Sequence, residues 1–250
     1  MRKIKNKFEK QYEKKGYFVL KNFFSRSDVN YAKKQIEIYI NKSEKVLNSS
    51  KGSINYTNKK INSIHTLHSK KNLFKKLFNN SKLNNILKKL LGKKIKLRAI
   101  ELFAKPAKHG LPSPMHQDNF YWNLKKGQGL TVWICLDSSN TSNGGITYVP
   151  GSHKEGLLNH EPSFAPGSSQ MVSKAVLRKM KEKYKFSTPN LKLGDICVHN
   201  CLIIHGSGKN KSNISRKGLT FQFKNTYERY DQNKIYQYNK SLKKQILLRQ

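Results

Sequence analysis

The chain has 250 residues, of which 36% are hydrophobic and 10% aromatic, enough apolar material for a sizeable core in a single domain of all-β type. No run approaches the ~18 consecutive apolar residues of a membrane-spanning helix, so an integral helical membrane protein is excluded. The formal net charge of +36 first suggests a polyanionic partner, but 43 of the basic residues are lysines and only 7 are arginines. Phosphate and base recognition recruits arginine heavily. The lysines stand mostly alone or in pairs, and with the abundant Asn and Ile they share AT-rich codons. Residues 1–110 carry +23, residues 111–160 carry zero and residues 161–250 carry +13. The excess thus avoids the segment with the chemistry, and a solvated lysine surface is expected, with nucleic acid an unlikely partner. Three cysteines without paired spacing fit a reducing compartment. Met1 to Lys15 lacks the apolar run of a secretory signal, and a cytoplasmic location is expected.

Along the chain, Gly16 opens the β-prone run Tyr17-Phe18-Val19-Leu20. Ser25 and Ser27-Asp28 offer an N-cap before Val29, Ala32, Ile36 and Tyr39-Ile40, spaced as one face of a helix. Residues 48–64 are polar and read as a loop. Leu73, Leu77, Leu83, Leu87 and Leu90 predict a helix over 72–91, stopped by Gly92. From Ile95 the pattern changes to short apolar runs separated by turn residues: 95–104, 130–136, 146–149, 195–204 and 218–223. A basic helix is expected at 174–183, inside a Gly/Ser/Pro-rich excursion that covers the barrel mouth. The organisation that follows is one domain, 1–250. A helical N-terminal layer (1–94) packs on a β-barrel core (95–225) with a lid-like insertion (155–190), and a C-terminal extension follows (226–250).

Within the core, His116-Gln117-Asp118 stands out. Residues two apart on a strand point to the same face, about 6–7 Å apart, so His116 and Asp118 can meet on one metal. Two histidines and one carboxylate on one triangular face make the ligand set of non-haem iron(II) oxygenases. His205, after the apolar Leu202-Ile203-Ile204 and before Gly206-Ser207-Gly208, is the best third ligand. The turn-rich stretch from Gly206 to Ser215 suits a hairpin that returns Arg216 beside His205. The planar fork of Arg216 can grip one end of a dicarboxylate, with the Ser207 hydroxyl added, while the other end chelates iron. A zinc site built from Cys197, His199, Cys201 and His205 is discounted, because along a strand these residues would spread over ~26 Å. His65, His68, His109, His153 and His160 are expected in structural roles.

Four stretches in this order resemble the phytanoyl-CoA dioxygenase family of iron(II)- and 2-oxoglutarate-dependent oxygenases, over about residues 10–225. They are Pro114 to Trp122, Thr131 to Asp137, Asn143 to Lys154, and Gly194-Asp195 through His205-Gly206-Ser207 to Arg216. The resemblance implies a mainly β fold with flanking helices, a double-stranded β-helix (jelly-roll, cupin-like) barrel. It gives iron to His116, Asp118 and His205, and 2-oxoglutarate to Arg216 with Ser207 and Trp133. It implies hydroxylation of an unactivated C–H of a small-molecule or acyl substrate, with O2 consumed and succinate and carbon dioxide released. Related halogenases lack the carboxylate ligand, so Asp118 favours hydroxylation. Asn119, Tyr121 and Trp122 are candidates for the substrate side, and His199 for a hydrogen bond to a ligand. The alternatives are a non-catalytic barrel that serves as a binding module and, on charge alone, a nucleic-acid-associated oxygenase. Substrate and oligomeric state are not readable.

Overall fold

A computed structural model describes residues 5–44, 54–57, 59–65, 67–163, 165 and 169–247. Helix α1 (Lys7–Lys15) starts at a capping box between Asn6 and Glu9 and ends at Gly16, whose φ of 80° suits glycine. Strand β1 (Tyr17–Leu20) and helix α2 (Arg26–Glu44) follow. Next come β2 (Ile54–Thr57), β3 (Lys60–Ile64), a 3-10 turn at Leu67–Phe74, α3 (Lys75–Phe78), α4 (Ser81–Leu91) and β4 (Ile95–Lys105). The core continues with β5 (Ser113–His116), α5 (Asp118–Trp122), β6 (Gly129–Cys135), β7 (Ile146–Tyr148), β8 (His160–Pro162) and β9 (Gln170–Val172). It ends with α6 (Lys174–Lys183), β10 (Ile196–Asn200), β11 (His205–Ser207), β12 (Arg216–Asn225) and α7 (Gln232–Leu247).

A seven-stranded antiparallel sheet runs β1-β10-β6-β12-β4-β3-β2, and a three-stranded sheet runs β5-β11-β7. The period of two divides each long strand between two faces. On the large sheet, Ile100, Leu102, Val132, Ile134, Val198, Leu219 and Phe221 pack beneath Val29, Ala32, Ile36, Leu83 and Leu87 of α2 and α4. Each of these side chains larger than alanine contributes about 1.5–3 kcal/mol of burial free energy. On the opposite face, Trp133, Cys135 and Cys197 join Ile146 and Tyr148 of the small sheet in a second cluster. The two sheets therefore face one another, and neither closes on itself. This is the mainly β jelly-roll architecture with flanking helices, as two facing sheets rather than a continuous barrel wall.

Several local expectations need correction. The segment 48–64 is not wholly loop: its described part holds the β2–β3 hairpin, which extends the large sheet through Ser63 and Ile64. The helix expected over 72–91 is broken at Asn79-Asn80, because Asn80 turns its side-chain oxygen to the Leu83 N–H and starts α4 afresh. The strand expected over 195–204 ends at Asn200, whose side-chain oxygen accepts from the Leu202 N–H and folds the chain into a turn. Helix α6 occupies 174–183 as expected. It packs on the outer side of the small sheet, with Met180 against Val149 and Ile204. Among the described residues of 155–190, only Ser169 reaches the central cavity, while Tyr238 and Leu242 of α7 line it from the segment expected to be a mere extension. Among the described residues, no helix is long and apolar enough to cross a membrane.

Candidate active site

His205 and His116 stand directly opposite each other across the β11–β5 pair, which brings their rings to 4.3 Å. Asp118 is not on the strand, as the sequence pattern suggested. The strand stops at His116, and Asp118 opens α5. The turn swings the carboxylate back, so that Oδ1 lies 3.7 Å from His116 Nε2 and 3.6 Å from His205 Nε2. One ligand atom from each of the three residues falls within 4.8 Å of the others, and this is the single such group of His, Cys, Asp or Glu among the described residues. Gln117 faces away, as expected, and its amide donates to the Gly156 and Leu202 carbonyls.

Neighbouring groups fix the orientation of each donor. His116 Nδ1 lies 2.8 Å from the Pro114 carbonyl and His205 Nδ1 lies 3.2 Å from the Ile203 carbonyl. Carbonyls only accept, so Nδ1 carries the hydrogen and Nε2 keeps its lone pair for the centre. The Thr131 hydroxyl donates to Asp118 Oδ2 at 2.7 Å, and His199 Nε2 stands 3.3 Å from the same oxygen. Oδ1 is left facing the two imidazoles. Burial alone would raise the Asp118 carboxyl, but the imidazoles of His205, His116 and His199 hold it well below the ordinary carboxylate range. Burial, and then His116 beside it, pushes His205 down to about 3. Two imidazole nitrogens and a carboxylate oxygen form a donor set suited to iron(II) with open positions. The role of Thr131 was not legible in the sequence; one threonine in an apolar strand carries no motif.

Arg216 begins β12 opposite Lys105 of β4, and both side chains are buried. Arg216 Nη2 donates to the Gly144 carbonyl, while its Nε finds no partner among the described residues. Lys105 Nζ donates to the Leu111 carbonyl. Burial, and then the guanidinium of Arg216, push Lys105 down to about 7; burial pushes Arg216 down to about 10. Two buried cations with no carboxylate paired to either among the described residues are costly unless an anion joins them. Ser207 lines the same cavity. The Trp133 ring centre is 5.6 Å from the guanidinium carbon.

Trp133 reaches this position because Gly218 has no side chain: a Cβ there would meet the indole Cε2 at 2.0 Å. Gly218→Ala is therefore expected to destabilise the fold by about 1–3 kcal/mol through overpacking. In a chain of this size that is a loss of roughly 2–12 °C in the melting midpoint, measurable by thermal denaturation. An unchanged midpoint would mean that the indole has room to move.

The three substrate-side candidates separate. Tyr121 and Trp122 line the cavity of about 760 Å³ that contains the triad and Arg216. The Tyr121 ring meets His116 edge-on at 5.8 Å, and Arg98 lies over the Trp122 ring at 4.8 Å. Asn119 needs correction. Its amide is spent on the backbone of Leu124, accepting from N–H at 3.1 Å and donating to the carbonyl at 3.0 Å. It closes the turn after α5 and does not line the cavity. His65, expected to be structural, stands in the cavity wall 3.1 Å from Glu101.

Residues 12–218 match the family model described as phytanoyl-CoA dioxygenase. The chain belongs to the phytanoyl-CoA dioxygenase family. It is 28% identical over 159 residues to the phytanoyl-CoA dioxygenase domain-containing protein 1 of Danio rerio, covering 63% of this chain and 54% of that protein. It is 26% identical over 219 residues to a probable alpha-ketoglutarate-dependent hypophosphite dioxygenase of Stutzerimonas stutzeri, covering 84% and 75%. This chain thus spans about half the length of the first relative and three quarters of the second. In fold it resembles the crystal structure of EctD from S. alaskensis with 2-oxoglutarate and 5-hydroxyectoine, with a TM-score of 0.74 and 20% identity, covering 91% of this chain and 78% of that one.

Proposed function

We propose that this chain is a cytoplasmic, single-domain iron(II)- and 2-oxoglutarate-dependent dioxygenase that hydroxylates an unactivated C–H of a small-molecule substrate, using O2 and releasing succinate and carbon dioxide. The observation that carries this reading is the pairing of the His116–Asp118–His205 donor set with two buried cations, Arg216 and Lys105, that have no carboxylate partner among the described residues, in one cavity. When bound, the iron and 2-oxoglutarate supply the oxygen-activating chemistry. The residues of the chain place and charge the reactants. His116 and His205 offer Nε2 lone pairs and Asp118 one anionic oxygen. Thr131 and His199 stop the carboxylate from rotating. Arg216 and Lys105, with the Ser207 hydroxyl, take the distal carboxylate of the cosubstrate, and Trp133 walls that end of the cavity.

A non-catalytic barrel would have no use for an intact donor set beside a buried unpaired guanidinium. Nor does a lysine-rich surface bear on chemistry enclosed between two sheets. Anaerobic addition of iron(II) and then 2-oxoglutarate tests the reading: a weak visible charge-transfer band is expected, followed by succinate release on admitting air. Neither signal from correctly folded protein would end the enzyme reading.

The shifted Lys105 gives a pH signature. In the free protein it loses its proton near pH 7 instead of near 10.5, and a dianion bound beside it favours the protonated form. Binding above pH 7 must therefore take up a proton, and 2-oxoglutarate affinity should fall by up to about tenfold per pH unit there. Below pH 7 the affinity should level off. Arg216, at about 10, and Cys135, raised to about 12, titrate above this window. Lys105→Met should flatten the profile, which affinity measurements across pH would check.

A further inference from the structure

The cavity holds a third cation, Arg98, remote from the Arg216 and Lys105 pair. Along β4, Lys105, Phe103 and Glu101 line the cavity at intervals of two, while Leu102 and Ile100 point into the helix-covered core. The next core residue is Leu97, three positions on, because the register with β12 slips there. Gln222 pairs with Ala99 and Phe223 with Leu97, which leaves Arg98 without a partner. This is a β-bulge, which re-aims a side chain. Without it, Arg98 would continue the core face of Ile100 and Leu102. With it, Arg98 joins the cavity wall and lies over the Trp122 ring at 4.8 Å.

The charge of Arg98 meets carboxylates only through space, Glu101 first and Asp118 more weakly. Its Nη1 donates to Gln222 Oε1 at 2.6 Å, a neutral partner. The nearby carboxylate, Glu101, is engaged by Gln222 Nε2 at 2.6 Å and His65 Nδ1 at 3.1 Å. No ion pair to Arg98 exists among the described residues. Nor can Arg98 serve the Arg216 site, since Gln222 and Arg216 are six residues apart on β12, about 20 Å of strand. It does stand near the metal ligands: Gln222 is paired with Thr131, whose hydroxyl holds Asp118.

We infer that Arg98 determines substrate specificity, and that the substrate is a small organic oxyanion whose anionic group binds the Arg98 guanidinium beside the face of Trp122. This rests on the proposed function and narrows its substrate class, away from neutral hydrocarbon chains.

The test uses the iron-loaded full chain and a panel of amino acids, hydroxy acids and phosphonates, each paired with its neutral amide or ester. Substrate-dependent succinate release is expected from the anionic member of a pair and not from the neutral one. The panel also separates carboxylates from phosphonates. Arg98→Gln should raise the KM for the active anion by roughly ten- to hundred-fold, the usual effect of losing a charged hydrogen bond. Arg98→Lys, which keeps the charge and the stem, should recover part of that loss. In both variants the anaerobic iron–2-oxoglutarate band should persist, which shows that they are folded and loaded. A neutral partner as effective as its acid, or an unchanged KM in Arg98→Gln with the band intact, would overturn this inference alone. Absence of the band in the native protein would take the proposed function down with it.

Discussion

Replacing Asp118 by alanine should eliminate iron(II) retention and reduce succinate release by at least ~10³-fold. Loss of a group that merely supports a metal ligand costs about 10–100-fold in metal affinity, and Asp118 is the ligand itself. It is also the one anion in the set, so its removal leaves only two imidazole nitrogens at the centre. The surroundings are built to hold it: Thr131 and His199 occupy Oδ2, and the neighbouring imidazoles hold its carboxyl well below the ordinary range although it is partly buried. The fold should survive, because Asp118 sits at the first position of a short helix whose end is closed by Asn119 and Leu124. Metal content after gel filtration, read beside the melting midpoint, separates the two effects. A variant that keeps stoichiometric iron would show that the carboxylate is not a ligand.

The site was legible in the sequence because its chemistry is carried by residue types that are rare in this chain. Aspartate and glutamate number 14 against 50 basic residues, so a carboxylate two positions from a histidine stands out, as does an arginine among lysines. What was not legible depends on register and on competing local bonds. Thr131 and Arg98 have no motif. One acquires its role from lying on β6 within reach of the Asp118 turn, the other from a one-residue slip against β12. Asn119 was misread because a polar residue next to a ligand looks like a contact. Its amide instead satisfies the backbone of Leu124, the common use of asparagine in a turn.

The same distinction holds for the fold. The strands at 95–104, 130–136 and 218–223 were visible because each alternates a helix-covered face with a cavity face. Helices α1 and α7 were not, since both are polar and lysine-rich. Their signals were only caps: Asn6 with Glu9 for the first, and Asp231 accepting from the Lys234 N–H for the last. For α7 this matters to function, because Tyr238 packs against Phe120 and Tyr121 and lines the cavity.

Arg216→Ala should raise the 2-oxoglutarate requirement by about thirty- to several-thousand-fold, which corresponds to the 2–5 kcal/mol lost when one partner of a buried charged pair is truncated. The cost falls on binding, so saturating cosubstrate should restore much of the turnover. Arg216→Lys should recover only part of the affinity, because a single ammonium cannot reproduce two parallel hydrogen bonds. Stability should move the other way. In the free protein the guanidinium is buried with its Nε unpaired, so its removal relieves a desolvated charge and the melting midpoint should hold or rise. The change should also be felt at Lys105, whose pKa is lowered first by burial and then by Arg216. Removing the guanidinium raises that pKa, so the break in the pH profile of 2-oxoglutarate binding should move upward from about 7. A 2-oxoglutarate requirement unchanged in Arg216→Ala would place the cosubstrate elsewhere. A weakened affinity with an unmoved pH break would keep the anion at Arg216 but detach Lys105 from it.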